Sequence, residues 1–201
     1  MRALTLAARN VAQATPRTRI ISLDLGDQPF EFHAGQAVFA GLADVSIRRP
    51  YSIACSPGQM RRSNAIELLV QIDDHAAPDP HLELVVPGTL MRVEGPFGAF
   101  GLNLPIAERR LLMIAGGTGI APLRSMLWDI LERQPETDIR LIYSARSGEE
   151  FAFADELNRL AAQQSVRLWL TVTRPSDTWS GRRGRVSEQL ITTVLEAPES
   201  R

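Results

Sequence analysis

Cysteine is nearly absent from this chain. Among 201 residues only Cys55 carries a thiol, which excludes a disulfide within the chain and a cluster held by several of its own thiolates. Histidine is scarce as well: His33, His75 and His81 are the three present. Two of them lie in Asp73-Asp74-His75 and Asp79-Pro80-His81, but that stretch has no ligand spacing and its prolines mark a loop, so no metal site is expected. No sign of charge dominates, since 22 Lys+Arg face 23 Asp+Glu for a formal net charge of -1. That balance gives no general pull toward nucleic acid or an anionic membrane. No apolar run approaches the ~20 residues needed to span a bilayer. The first ten residues lack the long apolar stretch of a secretory signal, and a cytoplasmic protein is expected.

What is present is the mix of a globular chain with a core: 44% hydrophobic and 22% charged residues, long enough for one large domain or two small ones. The two halves differ in texture. Up to about residue 104, short alternating runs are broken by Gly, Pro and Asp. Ile21, Leu23 and Leu25 alternate with Ser22 and Asp24, and 37–40, 66–71 and 90–94 are further strand candidates. This spacing predicts an antiparallel barrel without a long helix. From 105 onward, predicted strands over 111–115, 139–144 and 166–173 alternate with predicted helices. One helix is marked by the stripe Leu123, Met126, Leu127, Ile130 and Leu131, with Pro122 in its first turn. The other helices fall near 152–163 and 187–195. Successive βα units predict a parallel sheet with helices on both faces. The linker is placed at 103–110, where Pro105 and charged residues interrupt the apolar pattern.

The segment Gly116-Gly117-Thr118-Gly119-Ile120-Ala121-Pro122 joins a predicted strand to a predicted helix. Glycine permits positive φ and close approach of the backbone, and the helix start offers N–H groups and a positive dipole end. A strand, a glycine turn and a helix in that order suit a dinucleotide pyrophosphate; a plain tight turn would use the same residues. In the first half, Arg49-Pro50-Tyr51-Ser52 has chemistry suited to a flavin. Arginine can fork two N–H groups onto a phosphate. A tyrosine ring can lie on the isoalloxazine, and a serine can hydrogen-bond its N5. In a strand, Arg49 and Tyr51 would share one face, with Ser52 on the other; a surface arginine beside a packed tyrosine is the alternative.

These segments, with Phe32-His33-Ala34-Gly35-Gln36, Glu94-Gly95-Pro96-Phe97-Gly98, Tyr143-Ser144-Ala145-Arg146 and Trp179-Ser180-Gly181-Arg182, occur in the order seen in one family. The chain resembles the ferredoxin–NADP reductase-like flavoproteins, including reductase components of oxygenases. The resemblance implies a Greek-key flavin-binding β-barrel over 1–104 and a Rossmann-like α/β domain binding NAD(P) over 105–201. It implies FAD as cofactor and NADPH or NADH as electron donor. The implied acceptor is a separate redox protein: ferredoxin, flavodoxin or an oxygenase component. Arg49, Pro50, Tyr51 and Ser52 become the flavin-binding set, with Tyr51, Ser52 and Thr118 next to the reacting rings. Gly116, Gly117, Thr118 and Gly119 become the pyrophosphate turn. Thr118 would equally serve as a structural helix cap. Thr173 and Arg174 match the family's hydroxyl–arginine pair for a 2′-phosphate; Arg146, Arg182, Arg183 and Arg185 add cations, which leans toward NADPH, although a solvated basic loop would look the same.

Two departures from the family stand out. Where the family has a pyrophosphate-binding Gly-x-x-Ser/Thr segment, this chain has Ala76-Ala77-Pro78-Asp79-Pro80. Its prolines lack N–H donors and its carboxylate repels phosphate. FMN held by Arg49 is therefore an alternative to FAD, and a non-catalytic nucleotide-binding or electron-transfer relative with a degenerate flavin site is the alternative function. The second departure is the family's last apolar strand, which the α/β half lacks. The strand at 111–115 would then be open on one side, for a further segment of a longer protein, a rearranged segment or a second chain to cover. Among other residues, Cys55 is read as a small packed residue, as are Trp128 and Trp169 as core. Phe97 and Phe100 are read as packing at the domain junction, with the flavin edge as the alternative, and Trp179 as an interface or nucleotide contact.

Overall fold

The computed structural model describes residues 2–72 and 80–198. The chain divides into two compact units, Met1–Asn103 with Ala121–Asp129, and Leu104–Ile120 with Ile130–Arg201.

The first unit is built on six antiparallel strands: β1 (Arg2–Thr15), β2 (Thr18–Asp24), β3 (Ala37–Leu42), β4 (Arg49–Ser52), β5 (Ala65–Gln71) and β6 (Leu90–Phe97), in the order β4-β3-β6-β1-β2-β5. A single bridge between Ile53 and Leu68 draws the two ends of this sheet together, so the barrel is nearly closed. Period-two alternation sends Leu4, Leu6 and Ala8 of β1, Ile21 and Leu23 of β2, and Met91 and Val93 of β6 into one core with Leu68 and Val70 of β5. Between β4 and β5 a helix, α1 (Pro57–Ser63), is started by a capping box. The Ser56 hydroxyl accepts from the Gln59 N–H at 3.0 Å, and the Gln59 side chain accepts from the Ser56 N–H at 3.0 Å. Two orphan donors of the first turn are thereby satisfied.

The second unit is a four-stranded parallel sheet: β7 (Arg110–Gly116), β8 (Asp138–Ala145), β9 (Arg167–Val172) and the short β10 (Arg182–Arg183), in the order β10-β9-β8-β7. Its helices are α2 (Ile120–Arg133), whose residues 121–129 count with the first unit, α3 (Ala154–Ala162) and α4 (Glu188–Glu196). Leu190 and Val194 of α4 pack on Ile142, with Leu112 and Trp169 beside them. Asp138 ties the base of this sheet. It accepts from Arg140 at 2.9 Å and from Arg167 at 2.5 and 3.1 Å. The guanidinium of Arg140, only 1% exposed, also donates to the carbonyls of Val194 and Leu195 at the end of α4, where a cation complements the negative dipole end. Among the described residues β7 pairs on one side only, and its Ile114 is 44% exposed.

Candidate functional site

The residues expected at a flavin lie together on β4. Register sets Arg49 opposite Ala40 and Tyr51 opposite Val38, with Pro50 and Ser52 opposite Phe39 and Ala37. Directly opposed residues share a face, so Arg49 and Tyr51 lie on one side of the strand and Ser52 on the other. Arg49, Tyr51 and Ser52 are half-buried and Pro50 is exposed. A cation and an aromatic ring one residue apart on an end strand fit a phosphate and a planar ring. The chain just after β4 is firmly held. Ile53 donates to the Gln36 carbonyl at 2.9 Å and Ala54 to the Glu67 carbonyl at 2.7 Å. Arg124, 5% exposed, donates to the Ala54 carbonyl at 2.8 Å and pairs with the Glu67 carboxylate at 2.9 Å. Ser125 donates to the Cys55 carbonyl at 2.6 Å. Cys55 itself is buried, its thiol accepts from the Glu67 N–H at 3.4 Å, and burial pushes its pKa up to about 12. It is a packed residue.

The residues expected at a dinucleotide gather at the carboxyl ends of the parallel strands, where open α/β sheets bind ligands. Gly116 ends β7, and Gly117, Thr118 and Gly119 form one 3₁₀ turn that leads into α2. Gly117 has φ +51, which an L side chain rarely adopts, and added Cβ atoms at Gly116, Gly117 and Gly119 would meet nothing within 4 Å. The space over the turn is open to a ligand. The cap position of α2 is Gly119, without a side-chain cap, so Thr118 does not cap the helix. Next to the turn, Arg146 follows β8 and Thr173-Arg174 follows β9. The Thr173 N–H donates to the Ala145 carbonyl at 3.0 Å and the Arg174 N–H to the Arg146 carbonyl at 2.7 Å. Both arginines are exposed. Arg182, on β10, pairs with Thr171 of β9. With Arg183, Arg185, Ser187 and Gln189 it lines a cavity of about 230 Å³.

Phe100 departs from its expectation, and Trp179 and Tyr143 have contacts that the sequence does not announce. Trp179 is engaged within its own unit: it stacks on Phe151 at 5.8 Å, its Nε1 donates to the Arg182 carbonyl at 2.9 Å, and Gly148 and Gly181 lie against its ring. It pins the basic loop. Phe97 stacks on Phe39 at 4.4 Å, but Phe100 is 60% exposed and is not packing. Tyr143, which the sequence gives no role of its own, is fully buried and bonded to the glycine turn. The cue was a hydroxyl at the end of the apolar run Leu141-Ile142, which needs a partner when buried. The segment 76–79 and the residues Asp73, Asp74, His75 and Asp79 lie outside the described residues. No group of three or more metal-ligating side chains occurs among the described residues, and no described helix is long and apolar enough to cross a membrane.

Comparison with known proteins agrees with this layout. Residues 5–102 match the family described as oxidoreductase FAD-binding domain, and residues 113–201 the family described as oxidoreductase NAD-binding domain. The chain is 34% identical over 180 residues to ferredoxin–NADP reductase B of Sorangium cellulosum, covering 88% of this chain and 72% of that protein. It is 31% identical to the electron transfer component of a 2-halobenzoate 1,2-dioxygenase from Burkholderia cepacia, covering 80% of this chain and 46% of that one. In fold it is similar to the crystal structure of the Amycolatopsis cytochrome P450 reductase GcoB, with a TM-score of 0.83 at 23% identity, over 98% of this chain and 60% of that one. The chain belongs to the ferredoxin–NADP reductase-like flavoprotein family, with an FAD-binding domain followed by an NAD-binding domain. It spans about half the length of several curated relatives that it matches, such as 45%, 46% and 50% of three of them.

Proposed function

We propose that this chain is a flavin-dependent NAD(P)H oxidoreductase that passes electrons from a nicotinamide, through FAD, to a separate redox protein. The observation that carries this reading is the presence in one chain of the Arg49–Ser52 strand in an antiparallel barrel and an open glycine turn at the carboxyl end of β7. When bound, the flavin supplies the redox chemistry, taking a hydride from the nicotinamide and releasing electrons singly. The protein's residues bind and orient. Arg49 would fork onto the flavin phosphate, Tyr51 would lie against the ring, and Ser52 would hydrogen-bond its N5 edge. N–H groups of the turn face the pyrophosphate, with Thr118 toward the nicotinamide. Arg146, Thr173, Arg174 and Arg182 take the adenosine end, and their charge favours NADPH over NADH.

The flavin-binding domain is assigned to 1–104 and the NAD(P)-binding domain to 105–201, in a cytoplasmic protein. Relatives named as the electron transfer component of a dioxygenase and as a phenol hydroxylase P5 protein support an oxygenase component as acceptor; ferredoxin or flavodoxin would serve in the same role. A strand of a second chain would cover the open side of β7. The test is reconstitution with FAD and, in parallel, FMN, followed by dye reduction with NADPH and NADH. Tight flavin binding with turnover is expected. Nucleotide binding without flavin binding would instead make the chain a non-catalytic relative.

A further inference from the structure

A buried phenol holds the glycine turn from below. Tyr143, at 0% exposure near the end of β8, donates its hydroxyl to the Gly117 carbonyl at 3.0 Å and accepts from the Ala152 N–H at 3.2 Å. The Gly117 carbonyl also accepts the Ile120 N–H at the start of α2, so both of its lone pairs are used. The Phe151 ring meets Tyr143 edge-on at 5.0 Å, which fixes the phenol's plane. In a trans peptide the carbonyl of one residue and the N–H of the next point in opposite directions. A Gly117 carbonyl aimed at a buried phenol therefore aims the Thr118 N–H away from the interior, to the side where the missing Cβ atoms leave open space.

We propose that Tyr143 is a positioning residue for the dinucleotide: its hydroxyl fixes the Gly117–Thr118 peptide so that the turn presents N–H groups to a pyrophosphate. This rests on the nucleotide-binding reading above. It adds that the turn's conformation depends on a contact 26 residues distant in sequence. Tyr143→Phe keeps the ring and removes one oxygen, leaving the Gly117 carbonyl held by the Ile120 N–H alone and the Ala152 N–H without its acceptor.

The test uses ADP-ribose, which carries the pyrophosphate and no nicotinamide, so binding is read by calorimetry without redox turnover. Tyr143→Phe is expected to bind ADP-ribose about tenfold more weakly than the wild type, the scale of one hydrogen bond, with unchanged flavin content and visible spectrum. Leu141→Ala, which loosens the packing of the same strand and keeps the hydroxyl, is expected to lower the melting temperature while leaving ADP-ribose affinity within about twofold. A wild-type protein that does not bind ADP-ribose sinks the nucleotide reading itself. A wild type that binds, with Tyr143→Phe binding equally well or Leu141→Ala losing as much, overturns the positioning role alone. One measurement needs no variant. The wild-type Tyr143 hydroxyl proton should give a slowly exchanging resonance in proton spectra, with a cross-peak to the turn, and its absence would also overturn the proposal.

Discussion

Single side chains carry the sharpest expectations. If Arg49 holds a flavin phosphate, Arg49→Ala removes a charge-assisted bond worth about 1.5–3 kcal/mol. Flavin affinity should fall by roughly 10–100-fold, measured by fluorescence as the flavin is released. If Arg174 holds a 2′-phosphate, Arg174→Ala should raise KM for NADPH by about tenfold or more and leave KM for NADH nearly unchanged; an equal rise for both would place the phosphate elsewhere. Cys55 gives a prediction about pH. Its pKa is raised by burial to about 12, so the folded protein keeps the thiol protonated when an unfolded chain, at ~8.5, would not. The stability that this provides is complete below ~8.5 and is lost as pH rises from there toward about 12. Thermal melts of Cys55→Ala should therefore lose part of the wild type's alkaline decline, and the native thiol should resist thiol reagents at neutral pH.

At the scale of elements, Asp138 is the joint to test. Burial raises its pKa, but hydrogen bonds from Arg167 and Arg140 outweigh that and hold the carboxyl below its ordinary value. A depressed carboxylate stabilises the fold above its unfolded value of ~3.9, and that contribution is lost as pH falls through the lower folded value. Asp138→Asn takes the carboxylate charge from the buried guanidinium of Arg140, which keeps its bonds to the Val194 and Leu195 carbonyls, and should cost about 3 kcal/mol in chemical denaturation. The elements themselves were unequally legible. β7, β8 and β9 announced themselves as apolar runs and α2 by its one-sided stripe, and the ends of the three strands and of α4 lie within a residue of those expected. β1 went unread because alanines dilute the alternation of Leu4, Leu6 and Ala8, and its second half is only half-buried. Pro57 and Gly58 disguise α1 as a turn, although the pair Ser56 and Gln59 spelled out its capping box. The glycine turn was readable because its conformation is local. The Tyr143 bond beneath it was not, since only the parallel pairing of β7 and β8 brings that hydroxyl there.

At the scale of the whole molecule, one chain carries two kinds of candidate site on two kinds of sheet. Antiparallel pairing gives an end strand with Arg49 and Tyr51 on one face. Parallel pairing gives a row of strand ends with a glycine turn and exposed arginines. Every one of the chain's 22 basic side chains is an arginine, which suits forked contacts with phosphates better than lysine would. The order of the two sites along the chain is that of its family, and their joint presence is what an electron-transferring reductase requires. The most direct measurement is anaerobic rapid mixing of the flavin-loaded protein with NADPH and with NADPH deuterated at the transferred position. For a nicotinamide-to-flavin reductase the flavin absorbance should bleach in a single turnover, more slowly with deuterium. A protein that binds flavin and nucleotide together yet shows no bleaching would contradict it.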